Sequence, residues 1–142
     1  MEKIDDNYPQ FIRVDEEKKK NFLQPLVDTP GSLFYKRTQG DIYLIAVSLG
    51  FKNKLREKSK KSSDVRTYHG LTDTSKLLIR VVALITENFN YESLKDGTLT
   101  LKIVEEYANG GISLLFDKVF HSGTDSSIED ELWIQLKTSD QN

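Results

Sequence analysis

Residues whose types suit chemistry fall into two clusters and two isolated histidines. The first cluster is the stretch EEYANGG, Glu105 to Gly111, where two carboxylates, a phenol, an amide and a glycine pair lie between apolar runs. Paired carboxylates do acid–base work when their surroundings push their pKa values apart. Adjacent residues on a helix point about 100° apart, so Glu105 and Glu106 cannot share a site and at most one faces inward. His69 and His121 are remote from each other, show no His-x-x-x-His spacing, and have no Asp or Glu placed to complete a metal triad. The expectation is a non-catalytic protein with no metal and no cofactor. A closed pocket uniting Glu106, His69 and another polar side chain is the arrangement that would restore an enzyme reading.

The glycine pair also raises anion binding, since amide N–H groups at a helix start attract phosphate. Neither Gly-x-Gly-x-x-Gly nor Gly-x-x-x-x-Gly-Lys-Ser/Thr is present, and the six residues after Gly111 contain no lysine. Each glycine inside an apolar helical unit costs about 1 kcal/mol against alanine. Glycine is retained where backbone must approach backbone or where φ must be positive, a region Asn109 also visits at modest cost. The favoured reading is a helix junction or close crossing. Ile103, Val104, Tyr107 and Ala108 fit one helical face; Ile112, Leu115, Phe116, Val119 and Phe120 fit another. Two helices meeting at the glycines and one long helix with a thin waist both satisfy that pattern.

The second cluster is cationic. Residues 51–66, FKNKLREKSKKSSDVR, hold seven Lys/Arg (Lys52, Lys54, Arg56, Lys58, Lys60, Lys61 and Arg66) against Glu57 and Asp64. The local net is +5, and a total of −2 leaves −7 for the rest of the chain. Lysines alternating with small polar residues are the footprint of phosphate contact, and these seven are the candidate nucleic-acid contacts. Phe51, Tyr68 and His69 bracket the segment. The alternatives are a solvated face or a site for an acidic protein. With no base-reading motif, contact with DNA would be independent of sequence, and the acidic remainder would confine it to this edge.

Several elements must position these residues. FIRV at 11–14 suggests a short strand or a hydrophobic staple, and Asp15 suits the cap of a first helix, with Pro25 marking a break or kink. GDIYLIAVSLG reads as a buried helix, capped by Asp41 and closed by Gly50. Residues 51–71 lack a sustained period and read as a long basic loop or frayed helix extension. TDTSKLLIRVVALITENF reads as a helix capped by Asp73 or Thr74, its apolar surface made by Leu77, Leu78, Val81, Val82, Leu84 and Ile85. NYESLKDG reads as a short helical turn. Residues 122–142 form a polar, acidic tail with an apolar patch of Ile128, Leu132, Trp133 and Leu136.

At 142 residues, 37% hydrophobic and 30% charged, the chain suits a single domain with one core. No apolar run approaches the roughly 20 residues a membrane span needs. The acidic start does not resemble a secretory signal, and the absence of cysteine fits a cytoplasmic setting. The expected fold is mainly α: a bundle of about five helices, with room for a short strand pair from the termini.

GDIYLIAVSLGFKNK together with EEYANGG resembles a small bacterial family encoded beside DNA phosphorothioation (dnd) genes, the dnd system-associated protein 4 family. The matching positions are Asp41, Leu49, Gly50, Phe51 and Lys52, then Glu106, Tyr107, Ala108, Asn109, Gly110 and Gly111, within a similarity spanning roughly residues 34–120. The resemblance implies an accessory role in modification-linked restriction or phage defence, with no catalytic residue to carry over. Its partners would be other proteins of the same defence operon, and DNA; a homo-oligomer is a further option. Tyr107, Asn109, Gly110, Gly111 and Trp133 are the candidate protein contacts, since aromatic anchors dominate interfaces.

Overall fold

The computed structural model describes residues 7–121, in which one central helix organises the rest. That helix, α4, runs unbroken from Gly97 to Phe120. Residues 106–112 are all buried. Seven consecutive positions span almost two turns, so they cover every direction around the axis. Such a helix needs neighbours on all sides.

Those neighbours come in chain order. Strand β1, Phe11–Asp15, leads into α1, a continuous helix over residues 16–28 that passes through a π-helical turn at Lys19–Leu23. The widened turn ends two residues before Pro25 and accommodates a ring that would otherwise press on the carbonyl four residues back. Helix α2, Gln39–Lys52, lies against α4. Strand β2, Ser62–Thr67, pairs antiparallel with β1, and α3, Asp73–Thr86, leads through a 3-10 turn at Tyr91–Lys95 into α4. Among the described residues there are therefore four helices and one 3-10 turn rather than about five helices.

The strand pair differs from expectation too. FIRV does form a strand, but its partner comes from within the basic segment instead of the far terminus. Ile12 and Val14 alternate into the core while Arg13 faces out and pairs with Asp64 at 2.9 Å. Val65 is left over between the pairs Ile12–Arg66 and Arg13–Asp64, a bulge that bends β2. The supposed basic loop thus divides into the last turn of α2, an irregular stretch at 53–61, and a strand.

Helix caps fall one to three residues earlier than the sequence suggests. Thr38 accepts the Asp41 amide at 3.2 Å and Thr72 accepts the Ser75 amide at 3.1 Å. Both caps have extended backbone and a side-chain oxygen free to turn back. Asp15 does cap α1, as expected, and Asp96 caps α4 through the Leu99 amide at 3.0 Å. In α3 the buried residues are Ile79, Val82 and Ala83; Leu77, Val81 and Ile85 point outward. Tyr8 stacks on Tyr68 with ring centroids 4.7 Å apart and donates to the Leu94 carbonyl, closing the core at that end.

Candidate functional site

The EEYANGG stretch lies at the waist of α4, where the chain crosses itself. Gly50 is not the end of α2 but sits inside it, facing Gly111. A methyl on Gly111 would lie 2.7 Å from the Gly50 amide nitrogen and closer still to the Ala46 carbonyl oxygen. A methyl on Gly50 would meet the Tyr107 backbone in the same way. Gly110 opens a second direction: its missing side chain admits the backbone of Leu55, just after α2. The glycines thus let α2 and the following stretch wrap two adjoining sides of one uninterrupted helix.

Asn109 serves the third direction. Fully buried, it accepts the Asp15 amide on Oδ1 at 2.8 Å and donates through Nδ2 to the Glu57 carbonyl and to Ser59 Oγ, each at 2.8 Å. It thereby ties the end of β1 and the basic segment to the central helix. Asp15 adds a second anchor, its carboxylate accepting the Lys60 and Lys61 amides at 2.8 and 3.2 Å and the Lys18 amide at 3.4 Å. Burial alone would raise its pKa, but the backbone donors of Lys61, Lys60, Lys18 and Glu17 outweigh that and hold it below its ordinary value.

The two glutamates divide as helical geometry requires. Glu106 is buried and receives Arg56 through Nε and Nη2 at 3.1 and 2.9 Å, while the guanidinium lies 5.3 Å from the Tyr107 ring centroid. Glu105 accepts the hydroxyls of Ser59 and Ser62. Burial pushes the Tyr43 phenol well above its ordinary pKa, the Glu105 charge adds to that, and among the described residues the phenol hydroxyl has no hydrogen-bond partner. The carboxylates therefore hold the segment in place through separate contacts. Among the described residues, no cluster of three metal-ligating side chains exists. His69 packs against Tyr68 and His121 against Phe116, so the structure brings neither to Glu106.

The seven expected cations sort by what already occupies them. Arg56 is committed to Glu106, Lys61 pairs with Glu16 at 3.4 Å, and Arg66 donates to the Gly70 carbonyl at 3.3 Å. Lys52, Lys54, Lys58 and Lys60 are exposed and have no ion pair among the described residues. They divide into two pairs. Lys52 and Lys54 edge a groove of about 640 Å³ with Phe51, Arg56, Ile85, Thr86 and Tyr107. Lys58 and Lys60 share a shallow hollow with Lys18 but also with Asp15, Glu17 and Glu57. Lys102 of α4, which sequence patterning missed, stands beside Lys58 in a neighbouring hollow.

Of the expected protein contacts, Asn109, Gly110 and Gly111 are enclosed by Asp15, Glu57, Leu55 and Ala46, so a partner cannot reach them with the crossing intact. Tyr107 is buried except where it lines the groove, its hydroxyl 3.2 Å from Thr86 Oγ1. Trp133 lies outside the described residues. The contributions of Asp15, Ser59 and Thr86 escaped sequence reasoning because each depends on a contact more than 20 residues away.

The family model of DNA sulphur modification system-associated protein 4 matches residues 12–142. The chain belongs to that family. The match is wider than residues 34–120: it begins in β1, which Asn109 anchors, and includes the segment after Gly123. No curated protein and no solved structure matches the chain. Family membership associates this DNA sulphur modification system-associated protein 4 relative with DNA sulphur modification, which supports an accessory role. No helix among the described residues is long and apolar enough to cross a membrane.

Proposed function

We propose that the chain is a non-catalytic accessory component of a DNA-modification-linked defence system in the cytoplasm, touching the duplex backbone through its basic segment. The observation that carries the reading is the anchoring of Lys52, Lys54, Lys58 and Lys60. They project from the end of α2 and from the stretch after it, which Asn109, Asp15 and Glu106 tie down, so exposed cations with no ion pair among the described residues are presented from a fixed frame. A fixed frame lowers the ordering cost that loose lysine tails would meet on binding. The acid-rich remainder of the chain keeps other faces away from phosphate. Other proteins of the same system are its expected company, in keeping with the family's association.

Fluorescence anisotropy with phosphorothioated and unmodified duplexes tests the reading. Four phosphate contacts give a salt slope near −3.6, so affinity should fall about 100-fold between about 50 and 200 mM salt. The Lys58→Glu/Lys60→Glu variant should lose most of the binding. Salt-insensitive association, or none at low salt, would remove the proposal.

A further inference from the structure

Helix α3 presents an apolar row to solvent: Leu77 is 58% exposed, Val81 41% and Ile85 39%. Their spacing at i, i+4 and i+8 sets them in one line about 12 Å long. Scattered surface leucines are ordinary, whereas a continuous row marks an interaction site. Phe89, in the turn after α3, is a further exposed apolar side chain at 61%. At Ile85 the row opens into the groove whose floor is Phe51, Thr86 and Tyr107 and whose rim is Lys52, Lys54 and Arg56. Among the described residues, no carboxylate lines that groove.

We propose that this row and groove dock an acidic amphipathic helix from a partner protein. Its apolar face would cover Leu77, Val81 and Ile85, with a large side chain entering beside Tyr107 and Phe51. Its carboxylates would lie over Lys52 and Lys54, which have no ion pair among the described residues. This is helix-in-groove recognition, read through anchors one helical turn apart. Charge selects the occupant: a basic helix would meet the exposed ammonium groups of Lys52 and Lys54, and a duplex backbone would leave the apolar row uncovered. The inference goes beyond the nucleic-acid reading and does not depend on it, because it rests on the apolar row and on a groove that Lys58 and Lys60 do not line; Lys52 and Lys54 serve one partner at a time.

The test is anisotropy of a labelled helical peptide of about 18 residues, five turns, with leucine at i, i+3, i+4 and i+7 and glutamate elsewhere. A version with lysine replacing glutamate serves as comparison. The acidic peptide should bind the full chain and the lysine version should not. Val81→Glu/Ile85→Glu, at exposed positions that leave the core unchanged, should weaken binding more than roughly tenfold, as should Lys52→Glu/Lys54→Glu. Lys58→Glu/Lys60→Glu should leave it intact, which separates this site from the duplex contacts at Lys58 and Lys60. Equal binding of both peptides overturns the proposal, as does acidic-peptide binding that survives both Val81→Glu/Ile85→Glu and Lys52→Glu/Lys54→Glu. Self-association abolished by Val81→Glu/Ile85→Glu would assign the groove to a second copy instead. Acidic-peptide binding that appears only after Leu132→Glu/Trp133→Glu would assign it to the chain's own C-terminal segment.

Discussion

Two sides of α4 are held by different physics. On the α2 side, Gly111 and Gly50 bring backbone against backbone, and Ala46 and Ala108 keep neighbouring positions small and buried. On the side of residues 53–61, Gly110 makes room, but the contact is fixed by side-chain hydrogen bonds from Asn109, Asp15, Glu105 and Glu106. Close packing of two helices is rigid because neither backbone can yield without breaking its own ladder. An irregular stretch can shift by an ångström, so it needs polar anchors to choose one position. The difference teaches why three adjacent residues, Asn109, Gly110 and Gly111, are of unlike kinds. They face three directions, and each direction needs something else.

Substitutions can break that contrast in order of size. Alanine for glycine in a helix interior normally gains about 1 kcal/mol. Gly111→Ala should instead lose more than about 3 kcal/mol, since its methyl would meet two backbones that cannot move apart; urea denaturation would read this as a lower midpoint or failure to fold. Asn109→Ala removes three hydrogen bonds to buried or half-buried groups and should cost about 2–4 kcal/mol. Hydrogen exchange should then accelerate at the Asp15 amide and across residues 57–61 while α2 stays protected. Uniform acceleration across both sides would show that the two are not separable. Gly110→Ala should cost only about 1–2 kcal/mol, because the Leu55 stretch can give way.

Smaller effects follow from titration and from an unmatched hydroxyl. The Asp15 carboxyl has a lowered folded-state pKa, so its contribution is present above the ordinary carboxylate pKa and is lost as pH falls below that value. Acid unfolding monitored by circular dichroism should be shallower in Asp15→Asn, whose starting stability is reduced. Tyr43→Phe discards a buried hydroxyl that has no hydrogen-bond partner among the described residues and should leave stability unchanged or raise it by up to about 1 kcal/mol. Destabilisation on that substitution would point to a partner for the phenol that the fold has not revealed.

Local pattern alone determined a good part of this protein. The apolar spacing in Ile103–Ala108 and Ile112–Val119 marks helix on both sides of the glycines, and the cost of consecutive glycines there signals a junction or close crossing. The separation of charge between residues 51–66 and the rest is a property of composition and needs no fold. Tertiary structure decided whether the glycines end a helix or thin it, because only the presence of Gly50 opposite Gly111 rewards continuing through them. It also decided that β2 forms from Ser62–Thr67, a run with one apolar residue, since β1 offers it an edge and Asp15 holds its approach. Which face of α3 is buried was settled the same way. Leu77, Val81 and Ile85 are as apolar as Ile79 and Val82, so periodicity cannot rank the two faces; only the position of α4 does.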